Sequence, residues 1–205
     1  MSKRTDELVR FLARTAQKAA GVVGIAGSLR VESYNRKLLR AARELAPSAV
    51  KVDLWDGLKR VPPFDEDDER DRDTAVLELR EAIERADAVL IATPECNGSL
   101  PGQLKNALDW ASRPYGATAL RGKPVAVVGA SQLPTGAARA QAEVRMVLSG
   151  IGAQVIDAEF PLARAHQHFD EMGRLCSAAH PQSVSRLLEQ LALAATRTNP
   201  PGAAA

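Results

Sequence analysis

Three stretches place small and polar residues directly after apolar runs, where they can meet a ligand. The first is Gly27-Ser28-Leu29-Arg30-Val31-Glu32-Ser33-Tyr34-Asn35. The second is Thr93-Pro94-Glu95-Cys96-Asn97-Gly98. The third is Gly129-Ala130-Ser131-Gln132-Leu133-Pro134-Thr135-Gly136. In the first stretch a strand-like run gives way to a helix-like one, so free backbone N–H groups and the helix dipole favour an anion there. Ser28, Ser33 and Asn35 add neutral donors, and the planar fork of Arg30 suits phosphate oxygens. There is no Gly-Lys-Ser/Thr, so it is not a Walker A loop. Nor is it G-x-G-x-x-G, because Gly21, Gly24 and Gly27 are spaced G-x-x-G-x-x-G. The same residues also read as a plain helix start capped by Ser33 or Asn35. On this loop alone, both readings stand.

Cys96, among turn formers, raises the question of a nucleophile. A nucleophilic thiol needs a base or a lowered pKa. His166, His168 and His180 lie far along the chain and show no triad spacing. His166-x-His168 could bind a metal from one side of a strand, but a polar surface pair is the preferred reading. Cys96 and Cys176 form no C-x-x-C, so neither a zinc knuckle nor a disulfide framework follows, and a reducing cytoplasm is the expected home. Redox sensing at Cys96 is a secondary hypothesis. The acidic run Asp65–Glu69 is read as preceding and capping a helix, where carboxylates suit the dipole, rather than as a metal site. No metal is expected.

The elements that must position these stretches alternate along the chain. Val22–Ala26, Val50–Leu54, Ala88–Thr93, Val125–Gly129 and Val155–Phe160 read as strands. Amphipathic helices are expected near Asn35–Leu45, Thr74–Arg85, Gly102–Ser112, Arg139–Ser149 and Gln182–Ala194. Strict β-α alternation argues for an α/β protein, a parallel sheet with helices on both faces. In such sheets ligands bind at the carboxyl ends of the strands, where all three stretches fall.

The 205 residues suit one generous domain. Residues 1–20 read as an extra amphipathic helix, with Leu8, Phe11, Leu12 and Ala16 on one stripe, and not as a secretory signal. Residues 21–196 form the domain, and 197–205 a flexible tail. Hydrophobic residues make up 45% and charged residues 25%, and net charge is +2, too weak and too interspersed to argue for nucleic acid. No apolar run approaches the roughly 20 residues needed to span a bilayer.

The three stretches, with Ser99-Leu100-Pro101-Gly102 leading into Lys105-Asn106-Ala107-Leu108-Asp109-Trp110 and with Arg139-Ala140-Gln141 after the third, resemble the NADPH-dependent FMN reductase family, which includes the bacterial quinone and chromate reductases. The resemblance runs from about Gly21 to Ala194. It implies a flavodoxin-like three-layer sandwich with a five-stranded parallel sheet in the order 2-1-3-4-5. It implies FMN as cofactor, NADPH or NADH as hydride donor, and a homodimer or homotetramer. In the family the first loop holds the FMN phosphate, matching Ser28, Arg30, Ser33 and Asn35. The second cradles the ring, matching Pro94, Glu95, Cys96, Asn97 and Gly98, and Ser131 matches a third-loop position near it. Backbone N–H groups from Cys96 to Gly98 can face the ring edge where reduced flavin carries negative charge. Pro101 can open the next helix. That helix lies near the subunit interface in the family, while Trp110 and Leu108 read as packing residues.

One position departs from the family, whose usual tyrosine gives Pro-Glu-Tyr-Asn where this chain has Cys96. Backbone contacts to flavin survive that change, but the tyrosine's place in a network between subunits does not. The implied activity is hydride transfer from NAD(P)H to FMN N5, then to a quinone, azo, nitro, metal-oxyanion or flavin acceptor in a ping-pong cycle, with no catalytic side chain required. The alternatives are a flavodoxin-like electron carrier, which the charge of +2 disfavours, and a low-turnover flavin sensor.

Overall fold

A computed structural model describes residues 19–70, 73–176 and 179–198. Its strands are β1 (Ala20–Ala26), β2 (Val50–Trp55), β3 (Ala88–Thr93), β4 (Pro124–Ala130), β5 (Gln154–Val155) and β6 (Pro161–Leu162). Its helices are α1 (Tyr34–Glu44), α2 (Thr74–Arg85), α3 (Gly102–Ala111), α4 (Ala138–Ile151) and α5 (Ala179–Thr198). The sheet is parallel, in the order β2-β1-β3-β4-β5, with β6 also on β4.

Period-two alternation divides the core. Ala88, Leu90 and Ala92 of β3 pack with Leu38, Leu39 and Ala42 of α1 and with Leu187, Leu188 and Leu191 of α5. Val89 and Ile91 point the other way, towards Leu79 and Ile83 of α2, Leu104 and Trp110 of α3, and Val144 and Leu148 of α4. Every residue of β3 and β4 is buried, which is why both read as unbroken apolar runs. Trp110 and Leu108 are buried packing residues, as expected. On α3, Gln103, Asn106 and Trp110 hold the segment 58–64: Gln103 donates to the carbonyls of Leu58 and Val61, and Asn106 and Trp110 both donate to that of Pro62.

Several local expectations are corrected. The fifth strand is not the continuous run Val155–Phe160. Only Gln154–Val155 and Pro161–Leu162 pair with β4, so the three β4 residues 126–128 face the five residues 156–160. The excess bulges at the edge, and the Arg145 guanidinium answers the carbonyls of Ile156 (2.9 Å) and Ala158. Asp73, not the acidic run, caps α2, accepting from the N–H groups of Ala75 and Val76. The run itself enters a 3-10 turn, Asp67–Arg70, and Glu66 and Glu69 pair with Arg113. Pro101 occupies the cap position of α3 rather than its first turn. His166 sits in a 3-10 turn, Ala165–Gln167, not on a strand. The last helix continues to Thr198. The expected N-terminal helix and the tail beyond Thr198 lie outside the described residues.

Three side chains fix the loops above the sheet. Buried Asn35 donates from Nδ2 to the Ala130 carbonyl and accepts from the Ala130 N–H, both at 2.9 Å, tying the start of α1 to the end of β4. Buried Gln141 donates to the Gly136 carbonyl at 2.9 Å and braces the third loop. One oxygen of Glu143 accepts from Ser99 Oγ (2.6 Å) and from the Leu100 N–H (2.8 Å), so α4 grips the second loop. The Ser99 hydroxyl, then the Leu100 amide, hold the Glu143 carboxyl below the usual carboxylate range.

Asn35→Ala leaves a buried N–H and a buried carbonyl unmet at Ala130, and is expected to cost about 2–4 kcal/mol, read from the urea midpoint. A loss below about 1 kcal/mol would show that the tie is dispensable. A carboxyl whose pKa is lowered by folding contributes stability above its unfolded value, near 4.3, and loses it as pH falls through the lower folded value. Hydrogen exchange at the Leu100 amide, taken relative to its intrinsic rate at each pH, is therefore expected to speed up across that acidic window. In Glu143→Gln the acceleration should vanish; an unaltered pH profile would remove Glu143 as its cause.

Candidate active site

A cavity of about 630 Å³ opens where the loops after β1, β3 and β4 converge. That volume lies within the ~300–1,000 Å³ of small-molecule sites. Because the chain runs outward from β1 to β2 on one side and to β3 on the other, the loops after β1 and β3 splay apart at this point. Gly27 starts the first wall. A Cβ there would come within 2.8 Å of Leu104 Cδ2, so the Leu104 side chain on α3 would have to shift to admit one.

The phosphate-like end is made by the first loop and the start of α1. Ser33 caps the helix, its Oγ accepting from the Asn35 N–H, which leaves the hydroxyl hydrogen available to donate. Among the described residues the N–H groups of Tyr34 and Arg36 have no protein acceptor, as a first helical turn requires. Arg30 lines the cavity, exposed and without a carboxylate partner among the described residues, and its N–H rests on Ser28 Oγ. The side chain of Asn35 is directed elsewhere: the amide expected to donate to a ligand joins Ala130 instead.

The second loop is a two-residue hairpin. Cys96 and Ser99 exchange both backbone hydrogen bonds, at 2.9 and 3.0 Å, around Asn97 and Gly98 with φ of 53° and 80°. Positive φ at both positions is the type I′ turn that Asn-Gly favours. The geometry corrects one expectation. The Cys96 N–H, read as a ligand donor, is taken by the Ser99 carbonyl, while the N–H groups of Glu95, Asn97 and Gly98 have no protein acceptor among the described residues. Pro94, Glu95 and Cys96 line the cavity, but Asn97 and Gly98 sit at the turn tip, beside Arg139 and outside the lining. Glu95 Oε2 is buried without a hydrogen-bond partner. The Cys96 thiol is free and exposed at the rim.

Ser131 completes the third wall. Its N–H donates to the Leu162 carbonyl, its carbonyl accepts from Ala165, and its Oγ accepts from the Leu133 N–H, again leaving a hydroxyl hydrogen to donate. Eight of the ten residues expected to bind a ligand thus line one cavity: Ser28, Arg30, Ser33, Asn35, Pro94, Glu95, Cys96 and Ser131. Leu29, Tyr34, Gln103 and Leu133 line it as well and were not singled out from sequence. Leu29 and Tyr34 lie inside the first motif, and Leu133 is two residues past Ser131, so adjacency could have flagged them. Gln103 carries no local signal.

The histidines stand apart. His168 meets His180 edge-on, 4.5 Å between ring centres, and burial, then the neighbouring His168, hold His180 below its ordinary pKa. Among the described residues no three His, Cys, Asp or Glu side chains are grouped to hold a metal ion.

The model for NADPH-dependent FMN reductases matches residues 20–167. A quinone reductase of Pseudomonas putida is 42% identical over 162 residues, covering 78% of this chain and 87% of its own length. An NAD(P)H-dependent FMN reductase of Pseudomonas aeruginosa is 40% identical over 174 residues, covering 84% and 93%. Among solved structures, the flavoenzyme NAD(P)H:(acceptor) oxidoreductase FerB of Paracoccus denitrificans superposes with a TM-score of 0.78 at 32% identity, covering 88% of this chain and 99% of its own. The matched span carries all three walls of the cavity, so the chain belongs to the NADPH-dependent FMN reductase family and is an FMN-dependent NAD(P)H oxidoreductase.

Proposed function

We propose that this chain passes two electrons from NAD(P)H, by way of FMN in the 630 Å³ cavity, to a small acceptor of the quinone class. The net reaction is NAD(P)H + quinone + H⁺ → NAD(P)⁺ + hydroquinone. The observation that carries the reading is one cavity with two chemically different ends: unpaired donors and a cation at one, and a proline-stiffened loop with an unpartnered carboxylate oxygen at the other. The first end suits a phosphate and the second a flat ring with an imide N–H, so the residues fit FMN.

When bound, FMN supplies the hydride acceptor and links two half-reactions that share one site. The chain supplies position. Arg30, the Ser28 and Ser33 hydroxyls and the N-terminal amides of α1 take the phosphate. Glu95 Oε2 accepts from the ring imide. Pro94 and Cys96 wall the ring, and the Ser131 hydroxyl donates to its edge. Asn35 positions rather than binds, since both ends of its amide engage Ala130. Asn97 and Gly98 supply the positive φ values that turn Glu95 and Cys96 inwards. No side chain need act as acid or base in the first half-reaction.

A homodimer or dimer of dimers belongs to the same reading, and sedimentation tests it. On α3, Lys105 and Asp109 pair with each other on the part-exposed side, while Gln103, Asn106 and Trp110 hold segment 58–64. A cytoplasmic site of action fits the two free thiols. Among the described residues no helix is long and apolar enough to cross a membrane.

The purified protein is expected to show a flavin absorbance band that bleaches when NADPH is added anaerobically and returns with quinone. A colourless protein that oxidises no NADPH would sink the proposal. Arg30→Ala should weaken FMN binding about 10- to 100-fold, as loss of a charge-assisted contact does, measured by fluorescence titration of the apoprotein. Cys96→Ala should keep its flavin and its NADPH turnover, with unchanged peroxide sensitivity. Loss of either activity or flavin would return the thiol to the mechanism.

A further inference from the structure

The two faces of β2 differ. Val50 and Val52 belong to the layer built with α1 and α5. Lys51, Asp53 and Trp55 alternate with them onto the other face, where Lys51 and Asp53 are exposed and Trp55 is half-buried. A groove of about 240 Å³ lies there between β2 and α2. Val23, Trp55, Ala82 and Ala86 line it, with exposed Asp53 and Arg85 beside them. It shares no lining residue with the cavity above the sheet. It is also smaller than the ~300 Å³ at which small-molecule sites begin.

Two observations bear on what fills it. The indole Nε1 of Trp55 is buried without a hydrogen-bond partner among the described residues, whereas a buried indole N–H ordinarily finds an acceptor. The other is the point where residues 1–18 join the described chain. They meet it at Ala19, beside the start of β1, and the lining of the groove begins at Gly21. Leu8, Phe11, Leu12 and Ala16 recur at helical spacing, with Arg10 and Arg14 on the opposite side. As a helix, residues 8–16 measure about 13 Å, which the roughly 20 Å length of β2 accommodates. Gln17, Lys18 and Ala19 remain for the reversal into β1, an ordinary length for a helix-to-strand connection. An apolar stripe of this kind needs a surface to cover it, and an apolar groove lies at its own point of attachment.

We propose that residues 8–16 fold back as an amphipathic helix into this groove, burying Leu8, Phe11 and Leu12 against Val23, Trp55 and Ala82. The segment then covers the face of β2 that carries Trp55, and apolar surface on both sides leaves water. Thr15, four residues after Phe11 on the same stripe, brings a hydroxyl acceptor to the Trp55 side. Arg10 and Arg14 stay in solvent. The docking does not depend on what fills the cavity above the sheet.

The test uses the full-length protein. Its two tryptophans are Trp55 and Trp110, and Trp110 is 2% exposed, so iodide quenching of tryptophan emission reports Trp55. Phe11→Ser combined with Leu12→Ser is expected to raise the quenching constant about twofold as the indole opens to water, while Arg10→Ser leaves it unchanged. A second measurement locates the segment without removing its stripe. Phe11→Cys with Ala82→Cys, in a Cys96→Ala and Cys176→Ala background, is treated with a short bismaleimide and read by mass spectrometry. A cross-link within one chain is the expected result, and it decides the matter if the serine variant loses its fold. Unchanged quenching in a folded serine variant overturns the docking. A cross-link found only between chains also overturns it and gives the stripe to a second copy. Absence of any cross-link overturns it too, and Phe11-dependent sedimentation with anionic phospholipid vesicles would then give the stripe to a membrane surface.

Discussion

The reciprocal pair between Asn35 and Ala130 is the bond on which the site depends. It joins the first turn of α1 to the last residue of β4, across the end of β3. With both groups buried, the amide cannot exchange its partners for water, and the register of the first loop against the third is set by one side chain. Everything else that shapes the cavity is referred to that pair. Ser33 caps the same helix turn, and Ser131 follows Ala130 directly. The second loop then fits between two fixed walls and is gripped from outside by Glu143.

The donors and acceptors around the cavity divide into two populations. Asn35, Gln141 and Glu143 have their hydrogen bonds completed within the protein and serve as structure. The hydroxyl hydrogens of Ser33 and Ser131, the first amides of α1, the Arg30 guanidinium and Glu95 Oε2 do not. A set of groups without protein partners thus gathers around one cavity, and a preorganised set loses little on ligand binding because its orientation is fixed beforehand.

Much of this was legible because burial on both faces writes a plain signal. β1, β3 and β4 appear as apolar runs and end where the polar loops begin, so three walls of the site could be read directly. The Asn97-Gly98 pair announced its turn. The rest depended on contacts across long sequence separations. Asn35 looks like a ligand donor from its neighbours, and only its partner 95 residues away shows that it is a strut. The Cys96 N–H looks free until the hairpin closes on Ser99. Glu143 sits in a helix with nothing nearby to suggest that it holds a loop. The fifth strand failed for another reason: residues 155–160 have strand-like composition, but the two extra residues opposite β4 forbid continuous pairing, and no local pattern counts residues on a neighbouring strand.

That broken edge has a consequence beyond the site. An open parallel sheet ends in rows of unpaired N–H and carbonyl groups that invite another chain to add a strand. Here one margin is cut into two-residue segments separated by a bulge whose carbonyls Arg145 occupies. The opposite margin, β2, carries exposed Lys51 and Asp53, paired at 2.8 Å. Among the described residues, both borders thus carry features that discourage another chain from adding a strand.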